Sequence, residues 1–201
     1  MTQSIENKII YRIYGRGRGW AFSKVDFVSE FPEGSVNQAL SSLVKAAKIR
    51  RVMRGIYDYP RYSEFLKKDM PPDFDQVAQA LARKFNWRVQ PTGLAALNRL
   101  GLSTQVPGNW VYLSDGPDRE YLLAGDTLVF KNSTTKNIGF TTRESGLVVQ
   151  ALTALGKSRI TGQTIADIRA QLPPTKRAKI LKETRSTTAW VYDAIKQICR
   201  G

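Results

Sequence analysis

Four carboxylates offer the best setting for enzyme chemistry in this sequence, because closely spaced acids can hold a metal ion or exchange protons. These residues are Asp115, Asp118, Glu120 and Asp126. Their neighbours Gly116, Pro117 and Gly125 are typical of turns between strands. Turn formation therefore explains the cluster better than catalysis does, and a nuclease accessory that uses these acids is the weakest function considered.

Other catalytic groups are scarce. The chain has no histidine and one cysteine, Cys199. This composition excludes Ser-His-Asp and Cys-His catalysis, and it leaves no ligand set for a zinc site. A disulfide within the chain is excluded as well. We therefore expect a protein that is not an enzyme and that uses no metal and no cofactor.

Residues 35–48 suit a different chemistry, hydrogen bonding to DNA. Ser35 followed by Gln38 predicts a capping box, and apolar residues from Val36 to Ala47 repeat at the spacing of one helix face. The opposite face carries short polar side chains and two lysines: Asn37, Gln38, Ser41, Ser42, Lys45 and Lys48. Asn and Gln can pair with adenine, and lysine suits phosphates. The pattern predicts a recognition helix.

Arginines flank this helix on both sides. Residues 49–53 and 56–60 predict two short strands joined by a tight turn, with Arg50, Arg51 and Arg54 in or beside the hairpin. An arginine at a hairpin can enter a minor groove or clamp the DNA backbone. Arg16 and Arg18 alternate with glycines and can do the same from the other side. Each of these side chains, taken alone, is equally compatible with a solvated surface.

The elements that must position these residues follow a recognisable order. Isoleucines at helical spacing predict a helix over 4–14, and residues 20–22 predict a short strand. Ser23 with Asp26 predicts the start of a second helix that ends at Pro32. A third helix and the hairpin complete the order helix, helix, turn, helix, hairpin. We interpret residues 1–62 as a winged helix-turn-helix.

The rest of the chain predicts a second domain over 73–201, after a linker that ends in Met70-Pro71-Pro72. Helices are predicted at 73–85 and 92–100, several strands between 110 and 140, and further helices over 143–200. The predicted fold class is therefore α+β: an N-terminal winged helix-turn-helix, then a mixed α/β domain with a small, largely antiparallel sheet and a helical C-terminus.

Charge and hydropathy narrow the choice of partners. The 201-residue chain is 42% hydrophobic and has a net charge of +14. Basic residues exceed acidic ones by six in 1–62, by one in 63–142 and by seven in 143–201. Basic ends predict contacts with a polyanion. With no apolar run of membrane-spanning length, about 18 to 20 residues, and no leader-like start, we expect a soluble, cytoplasmic protein.

The basic C-terminal segment leaves two interpretations open. Its cations are Lys176, Arg177, Lys179, Lys182 and Arg185. They form either a second surface for nucleic acid or the solvated face of a helix.

Three segments together resemble one known family. Residues 50–57 (RRVMRGIY), 90–105 (QPTGLAALNRLGLSTQ) and 111–116 (VYLSDG) are similar to those of the AbiEi-type antitoxins and abortive-infection regulators, and the likeness covers most of 4–142. The resemblance implies a winged helix that represses a toxin–antitoxin operon. It also implies a C-terminal domain that counteracts a nucleotidyltransferase-like toxin encoded beside it, without requiring a stable complex.

These observations predict a DNA-binding autorepressor and antitoxin. The expected partner is double-stranded DNA at its own operator, with no membrane, and a homodimer would fit because repressors usually read paired half-sites. The alternative is a module that uses the winged helix to bind RNA or protein. The predicted DNA-binding residues are Ser35, Asn37, Gln38, Ser41, Ser42, Lys45, Lys48, Arg50, Arg51, Arg54, Arg16 and Arg18.

Overall fold

A computed structural model describes residues 4–105, 107–133 and 138–200. The chain divides into two compact units, Met1–Trp87 with Leu122–Gly125 and Arg88–Tyr121 with Asp126–Gly201. Both contain helices and strands, so the predicted α+β class is confirmed. Among the described residues, no helix combines the length and the apolar character needed to cross a membrane.

Among the described residues, the first unit contains three α-helices, one 3-10 helix and two small sheets. Its elements are α1 (Ile5–Arg16), β1 (Ala21–Phe22), a 3-10 helix (Lys24–Asp26), α2 (Glu33–Lys45), β2 (Arg50–Met53), β3 (Ile56–Asp58), β4 (Tyr62–Ser63), β5 (Lys68–Asp69) and α3 (Phe74–Phe85). Strands β1, β3 and β2 form an antiparallel sheet in that order, and β4 pairs with β5 in a separate hairpin.

The core of this unit lies where α1 and α2 pack together. Ile9, Ile13 and Leu43 are fully buried there. Phe22 and Phe27 meet edge to face, with ring centroids 5.7 Å apart, and Trp20 lies beside both rings. Edge-to-face contacts between rings add to the stabilisation that burial provides. The apolar spacing that predicted α1 and α2 is thus the spacing that builds the core.

The predicted second helix is wrong beyond its first turn. Ser23 and Asp26 do form the predicted capping box, but the helix they start is only the 3-10 turn Lys24–Asp26. Phe27 then leaves helical geometry, with φ −127° and ψ −24°, and its ring is fully buried. Packing of this aromatic ring against the sheet therefore overrides the local helix pattern.

The predicted start of the third helix is also wrong. Helix α2 begins at Glu33, with Pro32 at the N-cap and no capping side chain, so Ser35 lies inside the first turn. Proline fixes its own φ near the value that a helix start needs. This geometry replaces the predicted Ser35–Gln38 capping box and lengthens the helix at its N-terminus.

Helix α3 packs within the first unit, although the sequence analysis placed it in the second domain. Asp73 caps α3, and Arg83 near its end donates Nε to Asp26 at 2.6 Å and Nη2 to the carbonyl of Ala21 at 2.8 Å. These partners lie on the 3-10 helix and on β1. The long-range hydrogen bonds of Arg83 therefore tie α3 to the first unit.

The second unit contains a mixed sheet and a group of helices. Its elements are β6 (Val89–Pro91), α4 (Gly93–Arg99), β7 (Asn109–Ser114), β8 (Arg119–Leu123), β9 (Asp126–Asn132), α5 (Arg143–Leu155), α6 (Gly162–Gln171), α7 (Arg177–Glu183) and α8 (Ala189–Arg200). The last two residues of β8, Leu122 and Leu123, are counted with the first unit. The strand order is β6-β7-β9-β8. Residues 138–140, predicted as a strand, form none.

The central strand pair of this sheet is parallel, which the sequence analysis did not predict. Strand β6 runs antiparallel to β7, whereas β7 and β9 run parallel, with Trp110 opposite Leu128. Strand β8 lies at the edge, and only Ala124 and Gly125 join it to its neighbour β9. So short a connection joins antiparallel strands. Strand β8 therefore runs opposite to β9, and β9 runs in the same direction as β7.

Candidate functional site

The outward face of α2 is a polar stripe. Gln38 and Ser41 are exposed along its centre, Asn37 is exposed beside them, and Lys45 is exposed at the C-terminal end of the helix. The inward face buries Val36, Ala39, Leu40 and Leu43. Within the described residues, the side chains of Asn37, Gln38 and Ser41 make no hydrogen bond, so their donors and acceptors are available to a ligand.

The two remaining serines of the predicted set lie beside this stripe. Ser35 and Ser42 are half-buried on one side of α2. No carboxylate occurs on the helix after Glu33, and that residue pairs with Lys24 at 2.5 Å. The stripe is therefore uncharged at its centre and has a lysine near its C-terminal end.

Lys48 lies just beyond the C-terminus of α2. Ala47 adopts a left-handed φ of 53°, and the backbone of Lys48 donates to the carbonyl of Leu43 at 3.0 Å. This closing turn leaves the side chain of Lys48 exposed, as is that of Lys45. Two exposed cations thus follow the polar stripe at this end.

Arg50 is occupied by the protein's own groups. Its Nε and Nη2 donate to the two carboxylate oxygens of Asp58, at 3.0 and 2.6 Å, and its Nη1 donates to the carbonyl of Met70 at 3.0 Å. Burial raises the pKa of Asp58, and the hydrogen bonds and charge of Arg50 oppose that rise. The predicted DNA contact of Arg50 is therefore replaced by an internal ion pair.

Arg51 and Arg54 are the exposed arginines of the hairpin. Arg51 follows Arg50 on β2, and alternation along a strand turns its side chain to the other face. Arg54 and Gly55 form the two-residue turn between β2 and β3, and Gly55 has a φ of 76°. Within the described part of the chain, neither guanidinium group makes a hydrogen bond or an ion pair, so both are available to a ligand.

Arg16, the last residue of α1, and Arg18, in the glycine-rich loop that follows, both lie against aromatic rings. Arg16 lies 5.7 Å from the ring centroid of Trp20, and Arg18 lies 4.7 Å from that of Tyr59. Arg18 also donates Nη1 to the carbonyl of Pro60 at 2.9 Å. Both residues remain exposed, but the cation–π contacts restrict their side chains more than the alternating glycines of the sequence indicated.

One lysine that the sequence pattern did not single out lies at the hairpin turn. Nζ of Lys84, near the end of α3, donates to the carbonyl of Arg54 at 3.3 Å. Burial, followed by the charges of Lys24 and Arg54, lowers the pKa of Lys84. Because these cations belong to separate elements, sequence spacing gave no indication that they converge.

The acidic residues in the turns of the second unit accept hydrogen bonds from backbone amides. Asp115 accepts a hydrogen bond from the amide of Arg88 at 2.8 Å, and Asp118 accepts one from the amide of Asn132 at 2.5 Å. Among the described residues, no three acidic or cysteine side chains come close enough together to hold a metal ion. These contacts agree with the turn interpretation of the carboxylates.

The basic C-terminal segment is partly neutralised within its own unit. Lys176 pairs with Glu144 at 2.5 Å, and Lys179 lies 3.8 Å from Glu183. Nη2 of Arg177 donates to a backbone carbonyl at 3.1 Å. Lys182 and Arg185 are exposed. These contacts use about half of the cations for internal structure and weaken the case for a second nucleic-acid surface.

Comparison with known proteins gives a family and a distant fold likeness. A family model described as a family of unknown function (DUF6088) matches residues 8–180. No curated protein sequence matches the chain. The crystal structure of the RV2827C protein from Mycobacterium tuberculosis is similar with a TM-score of 0.40 and 11% identity, over 100% of this chain and 78% of that one. A likeness this weak says nothing about function.

Proposed function

This chain belongs to the DUF6088 family, and we propose that it is a transcriptional regulator that binds double-stranded DNA through the outward face of α2. We interpret α1 to β3 as a winged helix in which α2 is the recognition helix and the β2–β3 hairpin is the wing. The exposed stripe of Asn37, Gln38 and Ser41, whose side chains make no internal hydrogen bond within the described residues, is the observation that carries the proposal.

The size of α2 supports this interpretation. Its 13 residues span about 20 Å, and a helix of ordinary diameter fits the DNA major groove, which is about 12 Å wide. Short amide and hydroxyl side chains can approach base edges closely, where direct readout takes place. Lys45, Lys48 and Arg51 are exposed where phosphates would flank the groove.

The antitoxin role is the second part of the proposal. It rests on the resemblance of residues 50–57, 90–105 and 111–116 to AbiEi-type antitoxins. In this role the chain represses its own operon, and its second unit counteracts a nucleotidyltransferase-like toxin encoded next to it. Co-expression with the product of the neighbouring gene tests this part directly: growth arrest by that product alone, relieved by this chain, is the expected result.

DNA binding is tested with the full chain and the DNA upstream of its gene. Gel shift and footprinting should detect a protected site, and Gln38→Ala with Ser41→Ala should remove the preference for that site over a shuffled duplex. Each lost base contact typically costs about 1 to 3 kcal/mol of discrimination. Asn7→Ala is the matched control, because Asn7 is an exposed polar residue on α1 of the same unit.

Two results would contradict the proposal. One is the absence of any shift at low salt, where phosphate contacts are strongest. The other is preferential retention of structured RNA that is insensitive to changes at Asn37 and Gln38, which would favour an RNA-binding module on the same scaffold.

A further inference from the structure

We infer that Lys24, Arg54 and Lys84 form a site for a backbone phosphate, so that α3 contributes to DNA binding from outside the winged helix. This inference rests on the proposed function and extends it by one contact that the winged-helix interpretation does not include. The three residues come from the 3-10 helix, the β2–β3 turn and α3. All three lie in the first unit.

The side chain of Lys84 reaches the turn between β2 and β3. Nζ of Lys84 donates to the carbonyl of Arg54 at 3.3 Å. A Cβ added at Gly55 would lie 2.9 Å from that Nζ, the end of a flexible side chain that could move aside at little cost. The left-handed φ of Gly55, 76°, favours glycine. The hydrogen bond to this carbonyl thus places the ammonium group of Lys84 beside the turn that carries Arg54.

Charge at this position is not balanced by the protein. Arg54 and Lys84 have no carboxylate partner among the residues that the structure describes, and the one acid bound to the group is Glu33, at 2.5 Å from Lys24. Burial contributes most to the lowered pKa of Lys84, and the charges of Lys24 and Arg54 lower it further, because bringing like charges together costs free energy. An anion between these cations would offset that cost.

The site reaches the N-terminal end of α2 through Lys24. Lys24 reaches this end through Glu33, the first residue of the helix, whereas Lys45 and Lys48 lie at the opposite end. About 20 Å separates the two ends of a 13-residue helix. Cations at both ends of the helix could contact the phosphates of the two DNA strands that border a major groove. Lys84 and its neighbours would contact one strand, and Lys45 and Lys48 the other. A phosphodiester of duplex DNA is therefore the ligand that fits.

The salt dependence of binding tests this site. Binding of the full chain to a mixed-sequence duplex of about 30 base pairs, long enough to cover a winged-helix site, is followed by fluorescence anisotropy at several salt concentrations. Lys84→Gln should reduce the slope of log K against log salt by about one unit, because one phosphate contact is lost. Arg54→Gln should do the same, and Lys84→Arg should keep the wild-type slope.

A matched control separates the site from general loss of charge. Lys8→Gln removes one exposed cation from α1 of the same unit and should leave the slope unchanged. Slopes for Lys84→Gln and Arg54→Gln equal to that of the wild type would overturn the inference while duplex binding, and with it the proposed function, stands. Absence of duplex binding by the wild type would overturn both.

Discussion

Arg50 and Asp58 face each other across the β2–β3 hairpin and form an ion pair with two hydrogen bonds. The carboxylate side chain is 2% exposed and that of the arginine 30%. A third hydrogen bond from Arg50 reaches the carbonyl of Met70, which follows the β4–β5 hairpin. This arginine thus joins the sheet to the segment that leads into α3, and its role is to hold the first unit together.

Removing the arginine should destabilise the first unit strongly. Arg50→Met leaves the buried carboxylate of Asp58 without its partner, and such a change costs about 3 kcal/mol or more. Chemical unfolding in urea measures the loss. The double variant Arg50→Met with Asp58→Leu should recover most of it, because no buried charge is then left unpaired. Equal destabilisation of the single and the double variant would contradict this account.

The cost of Arg50→Met should depend on pH. Burial raises the pKa of Asp58, and Arg50 opposes that rise, so the pKa rises further in the variant. The folded variant then keeps a proton that the unfolded chain releases above about pH 4, and its stability falls as the pH rises through that window. We expect a larger loss at about pH 7.5 than at about pH 4.5. The double variant, which lacks Asp58, should show no loss that grows with pH.

Glu183 should stabilise the second unit most at neutral pH. Its carboxylate accepts hydrogen bonds from the amide of Thr142 at 3.0 Å and from the hydroxyl of Ser145 at 2.8 Å, at the start of α5. Desolvation raises the pKa of Glu183, but the hydrogen bonds from Ser145 and Thr142 outweigh it and lower the pKa. Glu183→Gln should cost about 1 kcal/mol at neutral pH, the usual value of a helix cap.

Because the pKa of Glu183 is lowered in the folded state, this stabilisation is present above the ordinary glutamate pKa and is lost as the pH falls through the folded value. The difference between wild type and Glu183→Gln in thermal unfolding should therefore shrink below about pH 4. A difference that grows with acidity would rule out this role of the carboxylate. Glu120→Gln, an exposed acid of the same unit, is the control and should have little effect.

Gly146 should not tolerate alanine, although it lies inside a helix. Alanine at an exposed helical glycine usually stabilises by about 1 kcal/mol. Here a Cβ would lie 2.6 Å from Cδ of Gln90, whose side chain is buried. We expect Gly146→Ala to destabilise by about 1 to 3 kcal/mol, as overpacking does. Differential scanning calorimetry would measure the shift in Tm.

A double-mutant cycle identifies the cause of that loss. Gln90→Ala combined with Gly146→Ala should be more stable than the sum of the two single effects predicts, because the smaller side chain makes room for the Cβ. Gly162→Ala is the control, since a Cβ at Gly162 meets nothing within 4 Å. Strict additivity of the two changes would show that Gln90 is not the obstacle.

Local patterns predicted much of the fold because local interactions determine it. The isoleucine spacing of α1, its cap at Ser4 and the turn at Arg54-Gly55 depend on residues within a few positions of one another. The amphipathic stripe of α2 also placed Asn37, Gln38 and Ser41 outside correctly. Helical periodicity decides which side chains face the core, and it requires no knowledge of distant residues.

Tertiary structure decided what the charged residues do. The sequence could not distinguish Arg50, which pairs with Asp58, from the exposed Arg51 beside it, because the distinction depends on the partner strand. The contact between Lys84 and the turn at Arg54 could not be predicted either, because 30 residues separate the two. The sequence by itself determined the helices, the hairpin and the basic charge; the packing of α3 and of the strands determined which cations remain available to a ligand, because long-range contacts are set by the whole chain.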